Sequence, residues 1–340
     1  MTEKNFEKIL VTGGMGFIGS NFIRYLLSNR KQVKKILNLD KLSLGSNKEN
    51  LKDLESQEGY EFYKGSITNL GLLSDLIRDV DAVVNFAAET HVDRSISCPR
   101  PFLESNTRGV FSILETIIKE EDKTKFIQVS TDEVYGEIME GSFNEESKLE
   151  PSNPYSATKA AADMLVLSYC RTYGIDASIT RCTNNFGPYQ FPEKLIPKTI
   201  IRGINDLKIP VYGTGENARD WLYVRDHCSA VVKVLEKGER GEVYNISSGN
   251  EIRNIDLVRE ILDYLGKGEE LIEFVEDRPG HDYRYSLDST KIRKELNWQP
   301  THSHEEALQK TIDWYLENED WWKPLVDEEI LSPTPWKENW

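Results

Sequence analysis

Short apolar runs alternate with amphipathic stretches along the chain up to about residue 180. The runs are nearly continuous in apolar residues, which is typical of strands covered by helices on both faces of a parallel sheet. This order predicts a doubly wound α/β fold. The predicted strands are 8–12, 35–39, 82–86, 126–129 and 177–180, and the predicted helices are 20–29, 70–79, 101–119 and 154–173.

The texture of the sequence changes after about residue 185, where proline, glycine, tyrosine and tryptophan become more frequent. We expect a first domain over residues 1–185, with residues 186–340 forming mainly a smaller lobe and with possible chain crossovers between the two. A cleft between these parts is the expected place for a ligand. In the second half, helices are predicted at 195–204, 254–265 and 304–318, and strands at 208–212 and 243–246.

Composition narrows the class of protein. Apolar residues make up 39% of the 340 residues, and no apolar run is long enough to cross a bilayer, so a membrane protein is not expected. The net charge of -15 opposes binding to nucleic acid, and an anionic small ligand would need its own basic pocket. The start of the chain has no signal-peptide core, and the cysteines have no metal-binding spacing. We expect a cytoplasmic protein without a metal site and with four reduced thiols: Cys98, Cys170, Cys182 and Cys228.

A glycine-rich turn follows the first predicted strand. Gly13, Gly16 and Gly19 have the spacing that lets backbone amides approach a pyrophosphate at a helix N-terminus. Asp40 ends the next strand about 20 residues later, where a carboxylate can bind the ribose hydroxyls of a dinucleotide. Because that carboxylate would repel a 2′-phosphate, NAD is favoured over NADP. The alternative is that the glycines only form a tight turn and that Asp40 caps the following loop.

A tyrosine and a lysine lie on one face of the helix predicted at 154–173. Tyr155 and Lys159 are four residues apart, which places the two side chains on the same side. A nearby ammonium and a nicotinamide cation would favour the phenolate, so Tyr155 could take a proton from a sugar hydroxyl. The same spacing also arises by chance in many helices.

Two adjacent acids follow the strand predicted at 126–129. If this strand is parallel to its neighbours, Thr131, Asp132 and Glu133 lie at the edge of the sheet where ligands bind. An enzyme that only oxidises an alcohol needs no pair of carboxyl groups, whereas an elimination does. The alternative is that Asp132 caps a turn and that Glu133 is solvated.

Several longer motifs resemble one family over nearly the whole chain. The chain is similar to extended short-chain dehydrogenase/reductases of Rossmann type and, among them, to nucleotide-sugar 4,6-dehydratases. The T-D-E triplet and the run after Arg181 are the most specific parts. The motifs are T-G-G-M-G-F-I-G-S, A-A-E-T-H-V-D-R-S-I, S-T-D-E-V-Y-G, P-Y-S-A-T-K-A, R-C-T-N-N-F-G-P-Y-Q-F-P-E-K-L-I-P, R-D-W-L-Y-V-R-D-H and D-R-P-G-H-D-Y-R-Y.

The resemblance implies a reaction on bound NAD with dTDP-glucose as the expected substrate. Tyr155 would deprotonate the sugar O4, held by Thr131, as hydride leaves C4. Glu133 would remove the C5 proton while protonated Asp132 gives a proton to the departing O6, and hydride would return to C6. The alternatives are a UDP-sugar dehydratase, a nucleotide-sugar epimerase or a non-catalytic NAD-binding scaffold.

The resemblance also implies binding roles in both halves of the chain and a homodimer formed by the helices at 101–119 and 154–173. Ser66 departs from the aspartate that the family usually has, and Thr90 replaces a serine. No role is indicated for the segment after Trp322. The implied cofactor positions, besides the three glycines, are Phe17, Ile18, Asp40, Lys41, Leu42, Ser43, Ser66, Ile67, Phe86, Ala87, Ala88, Ser105, Tyr155, Lys159 and Asn185. The implied substrate positions are Thr90, Thr131, Asn184, Lys194, Leu195, Pro210, Val211, Tyr212, Arg219, Asn254, Arg278 and His281, the two arginines as a diphosphate clamp.

Overall fold

A computed structural model describes residues 6–120 and 124–338. Its centre is a parallel sheet of seven strands in the order β10-β6-β5-β4-β1-β2-β3. The doubly wound α/β fold is therefore confirmed. The strands are β1 Lys8–Thr12, β2 Lys35–Asp40, β3 Tyr60–Lys64, β4 Ala82–Asn85, β5 Lys125–Thr131, β6 Ala177–Cys182, β7 Asn184–Phe186, β8 Ile209–Tyr212, β9 Ala218–Tyr223, β10 Val243–Ile246, β11 Glu251–Arg253 and β12 Ile272–Val275.

Helices cover both faces of this sheet. Alternate residues of β1 enter different cores: Ile9 and Val11 pack in the cluster that contains Phe22, and Leu10 packs in the cluster that contains Leu73 and Ile113. Burial on both faces explains the nearly continuous apolar runs. The helices are α1 Phe17–Asn29, α2 Leu70–Ile77, α3 Val92–Ser97, α4 Arg100–Phe102, α5 Gly109–Lys119, α6 Pro154–Tyr173, α7 Leu195–Ile204, α8 Val224–Lys237, α9 Asn254–Tyr264, α10 Thr290–Leu296, α11 His304–Glu317 and α12 Glu319–Trp322.

The second half of the chain returns to the large sheet. Strand β10 pairs in parallel with β6, and α8 packs against β5, β6 and α1. The rest of this half forms a three-stranded sheet, β11-β9-β7, and a parallel pair, β12-β8. These small sheets carry polar side chains into the space beside the carboxyl end of the large sheet, among them Arg219 on β9 and Tyr212 on β8.

Several features of the fold differ from the sequence prediction, and three of them have a clear physical reason. Strand β3 was not predicted, because it lies at the sheet edge and carries exposed polar residues such as Glu61. Strand β9 was not predicted either, because buried Arg219 and Asp220 interrupt its apolar pattern. The single helix predicted at 101–119 contains a π-helical turn at Leu103–Arg108 between α4 and α5.

Local sequence fixes the start of α6. The Asn153 side chain accepts a hydrogen bond from Ser156 N, the Ser156 hydroxyl accepts one from Asn153 N, and Pro154 occupies the first helical position. The helix ends at Gly174 in the left-handed conformation, with φ of 74°. This rigid first turn holds Tyr155 at the edge of the sheet. Within residues 6–120 and 124–338, none of the helices is long and apolar enough to cross a membrane.

Candidate active site

The carboxyl ends of β1, β2, β4 and β5 meet at one edge of the sheet and open into a cavity. This is the edge at which ligands bind in open parallel sheets. Leu42 is the predicted cofactor residue that does not line this cavity; its backbone N–H binds Asp40 instead. The other predicted cofactor and catalytic residues line it: Gly13, Gly16, Phe17, Ile18, Gly19, Asp40, Lys41, Ser43, Ser66, Ile67, Phe86, Ala87, Ala88, Ser105, Thr131, Asp132, Glu133, Tyr155, Lys159 and Asn185.

The glycine turn forms a cradle that larger residues could not form. Gly13 has φ of 72°, and a Cβ there would lie 2.5 Å from Ala87 N. A Cβ on Gly19 would lie 2.3 Å from Gly13 O. Helix α1 begins after Gly16 with no side-chain cap, so its first amides face the cavity without a side-chain acceptor. This cradle fits a pyrophosphate at a helix N-terminus.

Asp40 lies at the end of β2 and is buried. Its carboxylate accepts hydrogen bonds from Met15 N at 3.0 Å, from Leu42 N at 2.7 Å and from Ser46 Oγ at 3.2 Å. Burial raises the pKa of Asp40, and these hydrogen bonds oppose that shift. The side chain therefore does cap the following loop, as one interpretation of the sequence held, and it also lines the cavity beside the glycine cradle. Together the cradle and this carboxylate fit a dinucleotide.

Asp132 lies in a short 3₁₀ turn, Asp132–Tyr135, directly after β5. The Thr131 hydroxyl donates to Asp132 Oδ1 at 3.1 Å, while Asp132 Oδ2 is buried without a hydrogen-bond partner among the described residues. Burial, followed by the neighbouring Glu133 carboxylate, raises the pKa of Asp132 to about 8. Asp132 is therefore protonated at neutral pH and can act as a proton donor.

Glu133 faces both the cofactor cavity and a second, adjoining cavity. Its Oε2 accepts a hydrogen bond from Asn153 Nδ2 at 3.4 Å, and Asn153 also caps α6. Burial raises the pKa of Glu133, and the positive charges of Arg278 and Arg219 oppose that shift. The alternative in which Asp132 caps a turn and Glu133 is solvated does not match this geometry. Thr131 caps the turn by accepting a hydrogen bond from Glu133 N, Asp132 is 3% exposed, and the partly buried Glu133 lines both cavities.

Tyr155 and Lys159 face the same cavity from the first turns of α6. Burial, followed by the charge of Glu133, raises the pKa of Tyr155 well above its ordinary value. This direction is opposite to the one expected from a nearby ammonium. The Lys159 ammonium donates to Val129 O at 2.6 Å, and burial lowers the pKa of Lys159. In the protein alone, desolvation and the two neighbouring carboxyl groups therefore affect the pKa of Tyr155 more than Lys159 does.

The second cavity adjoins the first and contains two arginines, of which Arg219 is buried and Arg278 is partly buried. Three backbone carbonyls, of Ala218, Tyr283 and Asp282, accept hydrogen bonds from Arg219 at 2.7 to 3.1 Å. Arg278 Nη1 donates to the Asp93 carboxylate at 2.6 Å. The Nε of Arg278 is buried without a partner within the described parts of the chain. These cations supply the basic pocket that the net charge requires for an anionic ligand. The predicted substrate residues that line this cavity are Thr90, Asn184, Lys194, Leu195, Pro210, Val211, Tyr212, Arg219, Asn254, Arg278 and His281.

Several polar residues of this second cavity were missed by the sequence reasoning. Asp93 binds Arg278, and Glu193 binds Arg94 at 2.9 Å. Lys198 is buried, and burial lowers its pKa to about 8. Each of these residues lies within a motif already quoted or close beside one, but the letter pattern does not say which side chain turns inward. The missed lining residues of the second cavity are His91, Val92, Asp93, Gln190, Glu193, Lys198, Trp221 and Tyr285.

A Rossmann-type sheet with a glycine cradle and a Tyr–Lys pair at its carboxyl edge defines an extended short-chain dehydrogenase/reductase. A sequence model described as GDP-mannose 4,6 dehydratase matches residues 10–311. The chain belongs to this family.

Individual relatives match nearly the whole chain. The low-salt glycan biosynthesis protein Agl12 of Haloferax volcanii is 49% identical over 312 residues, covering 92% of this chain and 99% of its own. A dTDP-glucose 4,6-dehydratase of Streptomyces niveus is 45% identical over 331 residues, covering 96% and 98%. The crystal structure of DesIV, a dTDP-glucose 4,6-dehydratase of Streptomyces venezuelae with NAD bound, has a TM-score of 0.92 at 44% identity and covers 94% of this chain and 100% of its own.

The raised pKa of Asp132 predicts a pH-dependent cost to folding. Because its pKa is about 8 when folded and 3.8 ordinarily, the proton stabilises the folded state, and that stability is lost as pH rises from about 4 to about 8. Relative to the D132N variant, the free energy of unfolding of the wild type should fall by about 1 kcal/mol per pH unit in this window. Urea unfolding of both proteins from about pH 5 to about pH 8 measures the difference.

The control for this titration is D288N. Thr290 lowers the pKa of Asp288 by hydrogen bonding, so this carboxylate stays ionised across the same window. The stability difference between the wild type and D288N should therefore be flat there. A flat difference for D132N as well would contradict the protonated Asp132.

Proposed function

We propose that the protein is an NAD-dependent dTDP-glucose 4,6-dehydratase, a hydro-lyase that forms dTDP-4-keto-6-deoxy-glucose. The observation that carries this proposal is the acid pair of buried Asp132 and partly buried Glu133 beside Tyr155, in the cavity that also contains the glycine cradle. A simple alcohol dehydrogenase has no use for two carboxyl groups at this position. The removal of water requires one group to take a proton and another to give one.

Gly13, Gly16 and Gly19 would hold the pyrophosphate of NAD, and Asp40 would bind its ribose hydroxyls. When bound, NAD supplies the group that accepts a hydride from the sugar and later returns it. The positive charges of Lys159 and of bound NAD would oppose the raised pKa of Tyr155 and favour its phenolate. As the phenolate, Tyr155 takes the O4 proton as C4 becomes a ketone, with the Thr131 hydroxyl binding the same sugar oxygen. Lys159 is fixed on Val129 O and adds positive charge beneath this part of the site.

The two acids divide the elimination between them. The C4 ketone makes the C5 hydrogen acidic, and Glu133 takes that proton; its raised pKa makes it a stronger base than an exposed glutamate. Asp132, which carries its proton at neutral pH, gives it to O6 as the C6–O6 bond breaks and water leaves. The Glu133 carboxyl exchanges its proton with solvent, and addition of hydride at C6 and of a proton from Glu133 at C5 then completes the product. Since the two groups interact, a pH–rate profile reports the pair and not each acid alone.

We also propose that the two parts of the chain divide the binding. Residues 1–185 hold mainly the cofactor, and residues 186–340 hold mainly the substrate, with Arg219 and Arg278 binding the diphosphate. This division is supported by the origin of the lining residues, because the glycine cradle and Asp40 come from the first part, while both arginines come from the second. Strand β10 belongs to the second part of the chain but lies in the large sheet. The boundary at residue 185 therefore separates two binding roles and does not separate two independent structural units.

A substrate screen tests the reaction and the preference for the nucleotide base of the substrate. With dTDP-glucose, we expect a product that is lighter by one water and shows the alkali-induced absorbance of a 4-keto sugar. UDP-glucose should turn over at least about tenfold more slowly, because a pocket built for one base discriminates against another. Mass spectrometry and NMR identify the products.

Each outcome of this screen has a defined meaning. Turnover of UDP-glucose in preference to dTDP-glucose would overturn the assigned nucleotide base and would leave the proposed dehydratase reaction intact. A 4-epimer without loss of water would indicate the epimerase, and no product from either sugar would contradict the proposal.

We propose further that the protein is a homodimer that buries α5 and α6 against their copies. These helices and the preceding turn expose large apolar side chains, which favours a helix-to-helix contact. Leu103, Phe111, Met164 and Tyr173 are 55%, 43%, 55% and 59% exposed. The M164E variant should be monomeric in sedimentation experiments, because it places a charge within this contact.

The F274E variant is the matched control for the dimer. Phe274 is 58% exposed and lies on β12, away from these helices, so its substitution should leave the dimer intact. A dimer that persists in M164E, or a monomeric wild type, would contradict the proposed contact.

A cytoplasmic location is proposed as well, in line with the free thiols of all four cysteines, and cell fractionation tests it.

A further inference from the structure

The segment 327–338, which we call the C-terminal strap, folds back over the outer wall of the second cavity. It lies beyond residues 10–311, to which the family model matches. Two side chains of α7 hold it by its backbone: Arg202 Nη2 donates to Leu331 O at 2.6 Å, and Lys198 Nζ donates to Ser332 O at 3.1 Å. Lys198 itself lines the second cavity, so this anchor joins the strap directly to the wall of the site.

Trp336 is the largest side chain by which the strap packs on this wall. It lies in the short 3₁₀ helix Pro335–Lys337, which packs against α3, and it is only 7% exposed. Its ring meets the ring of Tyr212 edge to face, with centroids 4.9 Å apart and an angle of 81°. Lys337 also forms an ion pair with Glu276, two residues before Arg278. The strap therefore contacts strand β8 at Tyr212 and the loop after β12 at Glu276, close to Arg278.

Tyr212 connects this packing to the charged groups of the cavity. Its hydroxyl donates to Asp93 Oδ2 at 3.0 Å, and the other oxygen of the same carboxylate accepts from Arg278 Nη1 at 2.6 Å. Asp93 is 2% exposed, so its position depends on these two partners. A long, flexible guanidinium binds a diphosphate well only if its orientation is fixed in advance. Asp93 fixes it, and Tyr212 fixes Asp93.

We propose that Trp336, Tyr212 and Asp93 are positioning residues that fix Arg278 for the diphosphate of the substrate, so that the C-terminal strap completes the substrate site. This inference rests on the proposed function, because it takes the diphosphate as the ligand of Arg278. It assigns a role to the segment after Trp322, for which the sequence pattern indicates none. The contacts of the strap lead to Arg278, so its main effect is on binding. The charge of Arg278 also acts on the pKa of Glu133, so a smaller effect on the proton transfers accompanies it.

Binding of dTDP to NAD-loaded protein, measured by calorimetry, tests the inference without relying on turnover. The W336A variant should bind dTDP about tenfold more weakly than the wild type, because Tyr212 and Asp93 lose their support. The KM for dTDP-glucose should rise by a similar factor, while kcat stays within about twofold. The W336F variant keeps an aromatic ring against Tyr212 and should bind within about twofold of the wild type.

The W298A variant controls for general loss of a buried indole. Trp298 is 4% exposed and donates to Ser229 Oγ at 2.8 Å. It is not among the lining residues of either cavity. Its replacement should lower the melting temperature and leave the affinity for dTDP unchanged. If W336A does not fold, Y212F provides the same test, because it removes only the hydroxyl that binds Asp93, and it should also weaken dTDP binding.

A double-mutant cycle identifies the route of the effect. If Trp336 acts through Arg278, then W336A should cause no further loss of dTDP affinity in the R278M background. Additive losses, or unchanged affinity in both W336A and Y212F, would overturn the inference while leaving the proposed function intact. A wild type that binds no dTDP would instead overturn the proposed function.

Discussion

The constraint on which the site depends is that two adjacent carboxyl groups at the end of β5 are withdrawn from water, Asp132 fully and Glu133 in part. Two neighbouring carboxylates cannot both ionise easily once water is excluded, so their environments must separate their proton affinities. Asp132 accepts a hydrogen bond from the Thr131 hydroxyl with one oxygen, and its other oxygen has no partner among the described residues. Glu133 accepts a hydrogen bond from Asn153, and the positive charges of Arg278 and Arg219 act on it. One acid thus keeps its proton while the other can take one. The same burial raises the pKa of Tyr155.

The parallel topology explains why residues far apart in the sequence meet at this point. Each strand delivers its next residues to the same edge, so Gly13 after β1, Asp40 at the end of β2, Ala87 after β4 and Thr131 at the end of β5 become neighbours of one cavity. The sequence could predict this part because apolar runs mark the strands and the informative residues follow directly after them. Tyr155 was equally predictable, since Asn153, Pro154 and Ser156 mark the beginning of its helix.

The substrate side of the site was less accessible from the sequence for a physical reason. Its strands are short, and β9 buries charged residues, so neither hydrophobic alternation nor a continuous apolar run marks it. The contact between Asp93 and Arg278 joins residues 185 positions apart, and that between Tyr212 and Trp336 joins the second small sheet to the strap. No local pattern encodes such pairs. Helix spacing reports a neighbouring lysine but not the extent of desolvation, so it did not indicate that the protein groups alone raise the pKa of Tyr155.

The central claim is that Glu133 is the base that removes the C5 hydrogen. The most direct measurement is solvent deuterium at C5 of the product formed from dTDP-glucose in deuterated water, for the wild type and for E133Q. We predict that the wild type incorporates deuterium at C5, that E133Q forms product about 10² to 10⁴ times more slowly while still reducing bound NAD, and that E140Q, at an exposed glutamate, behaves as the wild type. Turnover and C5 exchange by E133Q at the wild-type rate would contradict the account.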